Sequence, residues 1–71
     1  MEKKRILIAE DDEGIYELIS DLLVERGFEV DWRRTAVETL AYLEVVSPYL
    51  VILDYGLPDM NAQELVETLK T

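Results

Sequence analysis

Two short apolar runs constrain this chain most: Arg5-Ile6-Leu7-Ile8-Ala9 and Leu50-Val51-Ile52-Leu53 are apolar on both alternating faces, and each stops abruptly at acids. A strand with no polar face belongs inside a sheet covered on both sides, the setting of parallel sheets flanked by helices. The first run ends in Glu10-Asp11-Asp12-Glu13 and the second in Asp54. Between them, Ile15, Leu18, Ile19, Leu22 and Leu23 follow the i, i+3, i+4, i+7, i+8 spacing of one helical face, and Gly27 is the expected helix stop. Phe28, Val30 and Trp32 alternate with Glu29, Asp31 and Arg33, which predicts an edge strand with one wet face. Thr35-x-x-Glu38 is a capping box opening a second helix through about Val46, which Ser47-Pro48 closes by removing a backbone donor. After a loop over 55–60, Asn61-x-x-Glu64 opens a third helix that sets Leu65 and Leu69 on one face.

Three strands, each followed by a helix, imply parallel pairing through right-handed crossovers. The half-wet second strand must lie outside, so the expected fold is α/β, a three-layer parallel sheet with strand order 2-1-3. That order sets the carboxyl ends of strands one and three side by side at a switch point, where open α/β sheets bind ligands. Glu10, Asp11 and Asp54 should converge there. Like charges so close raise one another's pKa values, and the cluster stays fully ionised only if a cation neutralises it. Carboxylates, a backbone carbonyl and retained waters suit magnesium better than calcium. The plainer reading makes these acids helix caps and solvated strand ends, and Asp12, directly before the first helix, is expected to be such a cap.

Composition narrows the functions further. Sixteen acids against seven bases give a formal charge of −9, which disfavours nucleic acid and anionic membrane as direct ligands. Without cysteine there is no disulfide and no thiolate zinc site; without histidine there is no Ser-His or Cys-His nucleophile and no phosphohistidine within the chain. The longest apolar run, 49–53, is far short of a membrane span, so a cytoplasmic location is expected. No repeat or linker divides residues 1–71, which read as one small domain.

The stretches Ile6-Leu7-Ile8-Ala9-Glu10-Asp11-Asp12-Glu13 and Leu50-Val51-Ile52-Leu53-Asp54-Tyr55-Gly56-Leu57-Pro58-Asp59-Met60, at their spacing, resemble the first and third strand motifs of response-regulator receiver domains. The resemblance covers the whole chain and implies a CheY-like, flavodoxin-like fold. It implies a phosphoacceptor signalling domain of a two-component phosphorelay rather than an enzyme with a separate substrate. Asp54 would be the phosphoacceptor. Asp11 and Asp54 would give side-chain oxygens to magnesium, Gly56 its carbonyl, and Glu10 would orient a metal-bound water, a role Asp12 could take instead. Pro58 resembles the family's turn-former. A sensor histidine kinase would be the donor, necessarily another protein because this chain has no histidine.

The pattern also departs from the family. A complete receiver has five strand-helix units, and these residues account for three. The strand-four hydroxyl, the strand-five lysine and the switching aromatic have no counterparts; Lys3, Lys4 and Lys70 fall at chain ends or on a helix. Without that lysine, phosphorylation is expected to be slower or uncoupled from a switch. Ala62 stands where the family usually has glycine, which is acceptable at negative φ. The third strand should be a bare apolar edge, and Val37, Leu40, Tyr42, Leu43, Val45 and Val46 give the second helix more apolar residues than one face requires. The expectation is a homodimer through the strand-three edge and the helices, completing a truncated (βα)3 receiver as a six-stranded sheet, with exchange of elements as the alternative. Tyr16, Trp32 and Tyr42 read as packing residues, Trp32 equally as a dimer contact. A second functional reading keeps the dimer but leaves the acids unphosphorylated. Other magnesium enzymes fit less well, since Asp54-Tyr55-Gly56 lacks the second acid of paired-Asp nucleases and neither strand end carries the Asp-x-Asp of aspartate phosphatases.

Overall fold

The computed structural model describes residues 3–70; Met1, Glu2, Thr71 and the side chain of Lys70 lie outside the described residues. The chain runs β1 (Arg5–Ala9), α1 (Glu13–Glu25), β2 (Glu29–Arg33), α2 (Ala36–Val45), β3 (Leu50–Leu53) and α3 (Ala62–Lys70). The sheet has the order β2-β1-β3, with both pairings parallel. β1 takes the centre because it has no polar face to offer water: Ile6, Leu7, Ile8 and Ala9 are all buried. The expected 2-1-3 α/β fold is therefore the observed one. Right-handed crossovers in that order put α1 on one face and α2 on the other.

Local chemistry sets the helix ends where the sequence places them. Asp12 caps α1 by accepting the Ile15 N–H at 3.0 Å. At the other end the Gly27 N–H donates to Val24 O at 3.0 Å and the Phe28 N–H to Leu23 O at 3.1 Å, the two bonds of a Schellman motif. Gly27 holds φ +92°, a conformation strained for any L side chain. Thr35 Oγ1 accepts the Glu38 N–H at 3.1 Å to open α2, and Asn61 Oδ1 accepts the Glu64 N–H at 2.9 Å to open α3. Ala62 has no positive φ, so glycine is not required there.

The wet face expected for β2 needs correction. Asp31 faces α2 rather than open water, and its carboxylate accepts from Arg5 Nη1 at 2.9 and 3.0 Å and from the Tyr42 hydroxyl at 2.7 Å. Burial alone would raise the Asp31 carboxyl, but the Tyr42 hydroxyl and the Arg5 guanidinium outweigh it and hold it below the usual range. The same burial, reinforced by Asp31, pushes the Tyr42 phenol up to about 12. An alternating pattern shows which residues are polar, not whether a helix on that face brings partners for them.

The two faces of the sheet are unequally covered. Ala9, Ala36, Leu57 and Leu65 form a buried cluster, with Leu40, Leu53 and Met60 packed against it, so α2 and α3 share one core. On the other face α1 buries no residue fully, and Leu18 is 69% exposed. Its apolar stripe divides: Ile19 and Leu23 are half-buried, while Ile15, Leu18 and Leu22 are exposed. Among the described residues β3 pairs with β1 alone, and Leu50 is half exposed. Val37 and Val45 of α2 and Val66 and Leu69 of α3 are exposed as well. Among the described residues no helix is long and apolar enough to cross a membrane.

Candidate functional site

Parallel registry builds the site. Ala9 lies opposite Leu53, and the Asp54 N–H donates to Ala9 O at 2.8 Å, so the residues that leave β1 and β3 emerge side by side. Glu10, only 7% exposed, is tied to the neighbouring strand end by its N–H to Arg33 O at 3.1 Å. Its carboxylate accepts the Asp12 N–H at 3.1 Å. One carboxylate oxygen from each of Glu10, Asp11 and Asp54 lies within 4.8 Å of the others, with Glu10 buried, Asp54 half-buried and Asp11 exposed. Burial pushes the Glu10 carboxyl up; the Asp12 N–H opposes that shift, and the Asp54 and Asp11 charges add to it.

The loop after β3 is fixed from three sides. Gly56 and Asn61 form an antiparallel bridge, and the Ala62 N–H donates to Tyr55 O at 2.8 Å, which closes the loop on itself. Leu57 is buried in the cluster under α2 and α3. Asp59 accepts the Ala36 N–H at 2.7 Å and the Val37 N–H at 3.0 Å, so a loop carboxylate serves as a second cap for α2. Those two amides hold the Asp59 carboxyl below the usual range. The Gly56 N–H points back to Asp54 Oδ1 at 3.4 Å. A Cβ on Gly56 would meet nothing within 4 Å, so any part this residue takes is through its backbone and not through a lack of space.

The residues expected at the site from the sequence therefore assemble unevenly. Glu10, Asp11 and Asp54 come together, and Gly56 adjoins them through Asp54. Asp12 is outside the group and turned to its capping bond. Three carboxylate oxygens with room for one ion between them, one belonging to a buried acid whose charged form is disfavoured, fit a hard divalent cation. Sequence reasoning missed the Asp59 cap, whose partners are remote along the chain. It also missed Leu57, whose apolar side chain beside Pro58 and Met60 was the available signal, and the contacts of Trp32 and Arg34 with the acid loop.

The Asp59 cap has a pH signature. Its folded pKa is depressed, so its contribution to stability is present above the unfolded carboxylate value and is lost as pH falls through the folded one. Asp59→Asn is expected to lower the urea midpoint at neutral pH, and the gap from the wild type is expected to be smaller at a pH below the ordinary aspartate value of about 3.9. A gap of the same size at both pH values would show that the carboxylate charge is not what holds the helix end.

A profile of the response regulator receiver domain family matches residues 6–71. The polar-differentiation response regulator DivK of Brucella ovis is 31% identical over 67 residues, which are 94% of this chain and 54% of that protein. The transcriptional regulatory protein YbdJ of Bacillus subtilis is 33% identical over 70 residues, 99% of this chain and 30% of that protein. The chain thus spans about half or less of the length of these relatives. Among solved structures, the CheY-like response regulator receiver domain from Methylobacillus flagellatus superposes with a TM-score of 0.91 at 27% identity, covering 99% of this chain and 59% of that one. By its sequence profile, its sheet order and its paired strand-end acids, the chain belongs to the response regulator receiver domain family.

Proposed function

We propose that Asp54 accepts a phosphoryl group from a sensor histidine kinase, with magnesium held by Asp11, Asp54 and the Gly56 carbonyl and with Glu10 acting on it through a water. The observation that carries this reading is the convergence of three carboxylate oxygens within 4.8 Å at the paired ends of β1 and β3. Receiver domains are signalling domains, and the chemistry here is a single transfer. An Asp54 oxygen attacks phosphorus, the phosphorus–nitrogen bond of the donor phosphohistidine breaks, and its electron pair leaves with the imidazole nitrogen. The product is an acyl phosphate on Asp54. Magnesium, when bound, neutralises charge on the acids and on the incoming phosphoryl oxygens.

The chain's own residues hold the acceptor. The Gly56 N–H and the loop bridge limit where the Asp54 carboxylate can turn, and the Asp54 N–H to Ala9 fixes its backbone against β1. Asp54 is half-buried, so part of its surface stays open to a donor. These 71 residues contain no histidine, so the phosphohistidine donor lies outside them. Residues 1–71 act as one domain in this reading, and a cytoplasmic location accords with a kinase donor. The open edge of β3 and the exposed stripe of α1 favour a second reading in which a homodimer, not phosphorylation, is the chain's role.

Intact mass spectrometry after incubation with magnesium and acetyl phosphate separates them. The wild type is expected to gain one phosphoryl group only when magnesium is present, and Asp54→Asn is expected to gain none. A folded wild-type protein that gains none, or an Asp54→Asn protein that gains as much, would refute the phosphoacceptor reading.

A further inference from the structure

The end of β2 reaches across to the acid loop with two side chains. The Trp32 indole N–H donates to the carbonyl oxygen of Glu10 at 2.7 Å, and Arg34 Nη2 donates to the carbonyl oxygen of Asp11 at 3.1 Å. The next carbonyl, that of Asp12, accepts the Tyr16 N–H at 3.0 Å within the first turn of α1. Three successive carbonyls of the acid loop are therefore tied. The two donor side chains are themselves held. The Trp32 ring stacks on Tyr16 with centroids 4.0 Å apart and planes 3° from parallel, and the Arg34 guanidinium lies over the Trp32 ring at 4.8 Å.

We infer that Trp32 and Arg34 are positioning residues for the acid site: by clamping the Glu10 and Asp11 carbonyls they fix the peptide planes from which both carboxylates project, and so set the site's affinity for magnesium. This rests on the reading of Glu10, Asp11 and Asp54 as a cation site given above. The physical argument is ordering cost. Asp11 is exposed, so packing does little to direct its side chain and the backbone that carries it matters more. A loop free to rotate those planes must be ordered when the cation arrives, and affinity falls by that cost. Groups that orient metal ligands without touching the ion typically change affinity by about 10–100-fold when removed.

Electrostatics alone predicts the opposite sign for one of the two. Arg34 is a positive charge next to a site for a cation, so removing that charge would tighten binding if charge were its only role. The clamp predicts that Arg34→Gln weakens it. For Trp32 the informative change is Trp32→Phe, which retains a ring to stack on Tyr16 and loses the N–H.

The experiment is a magnesium titration of the melting temperature for the wild type, Trp32→Phe, Arg34→Gln and Asp11→Asn, each with its metal-free melting point. A purely packing role would move the metal-free melting point and leave unchanged the magnesium dissociation constant obtained from the rise of the melting temperature with concentration. The expected result is a dissociation constant raised about tenfold in Trp32→Phe and Arg34→Gln, with the response lost in Asp11→Asn. A wild-type dissociation constant in both variants, or tighter binding by Arg34→Gln, would overturn the clamp and leave the cation site standing. A wild type indifferent to magnesium would overturn the cation site, and the clamp with it. Should Trp32→Phe fail to fold, Arg34→Gln, altered at an exposed side chain, decides the matter.

Discussion

In magnesium-free buffer the Glu10→Gln protein is expected to melt above the wild type, and in excess magnesium below it. Glutamine keeps the shape of glutamate and an oxygen to accept the Asp12 N–H, so the change removes a charge and little else. That charge is buried and adjoins Asp11 and Asp54, an arrangement that already pushes the Glu10 carboxyl up. Like charges within 4.8 Å of one another repel by about 1 kcal/mol in bulk water and by more beside a protein surface, so relieving two such pairs is expected to stabilise the metal-free fold by about 2 kcal/mol or more. For a domain of this size each kcal/mol moves the melting temperature by about 4–8 °C. On the proposed reading magnesium reverses the order, because a cation drawn to the full acid cluster binds the folded wild type more tightly than the variant, and a ligand of the folded state adds about 2.7 kcal/mol at 100 times its dissociation constant. Melting curves in chelator and in magnesium check both signs. A Glu10→Gln protein that melts below the wild type in chelator would mean that the acids are held apart or already neutralised, and the cation site would lose its electrostatic basis.

The 71-residue chain on its own is expected to self-associate, more strongly at high salt than at low. Among the described residues β3 has a partner on one side only, and its sequence Leu50–Leu53 carries no charge to blunt the open edge. Ile15, Leu18 and Leu22 of α1 and Val66 and Leu69 of α3 are exposed, and Val45 of α2 is 83% exposed. A second copy related by a two-fold axis would pair the β3 edges antiparallel and complete the sheet. The formal charge of −9 on each copy opposes the contact, and salt screens that repulsion, which gives the salt dependence its sign. Light scattering across a concentration series is expected to show a dimer. Leu50→Lys, placed at a half-exposed edge position, is expected to shift the equilibrium at least tenfold toward monomer, since a lysine must then be buried or the edge left open. A monomer at high concentration and high salt would contradict the dimer and leave the phosphoacceptor reading untouched.

Which parts were legible in the sequence follows from where each residue finds its partners. The doubly apolar β1, the period-two pattern of β2 and the capping signatures at Asp12, Thr35 and Asn61 depend on neighbours a few residues away, and all are present. The order 2-1-3 followed because only β2 has polar residues on alternate positions, and the meeting of Glu10, Asp11 and Asp54 followed from that order. The surroundings of Asp31 did not follow. Its partners Arg5 and Tyr42 come from another strand and from a helix, and a carboxylate drawn in under α2 has the same local pattern as one facing water. Asp59 is a similar case, since it caps a helix that begins 23 residues earlier in the chain. Trp32 was legible as an aromatic on a strand, and its stacking on Tyr16 bears out the packing role; its N–H to the Glu10 carbonyl depends on how far β2 runs alongside β1, which no residue pattern specifies.

Chemical location of the phosphoryl group tests the central claim most directly. After incubation with magnesium and acetyl phosphate, borohydride reduces an aspartyl phosphate to homoserine, and peptide sequencing by mass spectrometry reports the position. Homoserine at position 54, formed only with magnesium, is the predicted result. Reduction at position 11 or 12, or no reduction anywhere in a protein that melts cooperatively, would contradict the assignment of Asp54 as acceptor.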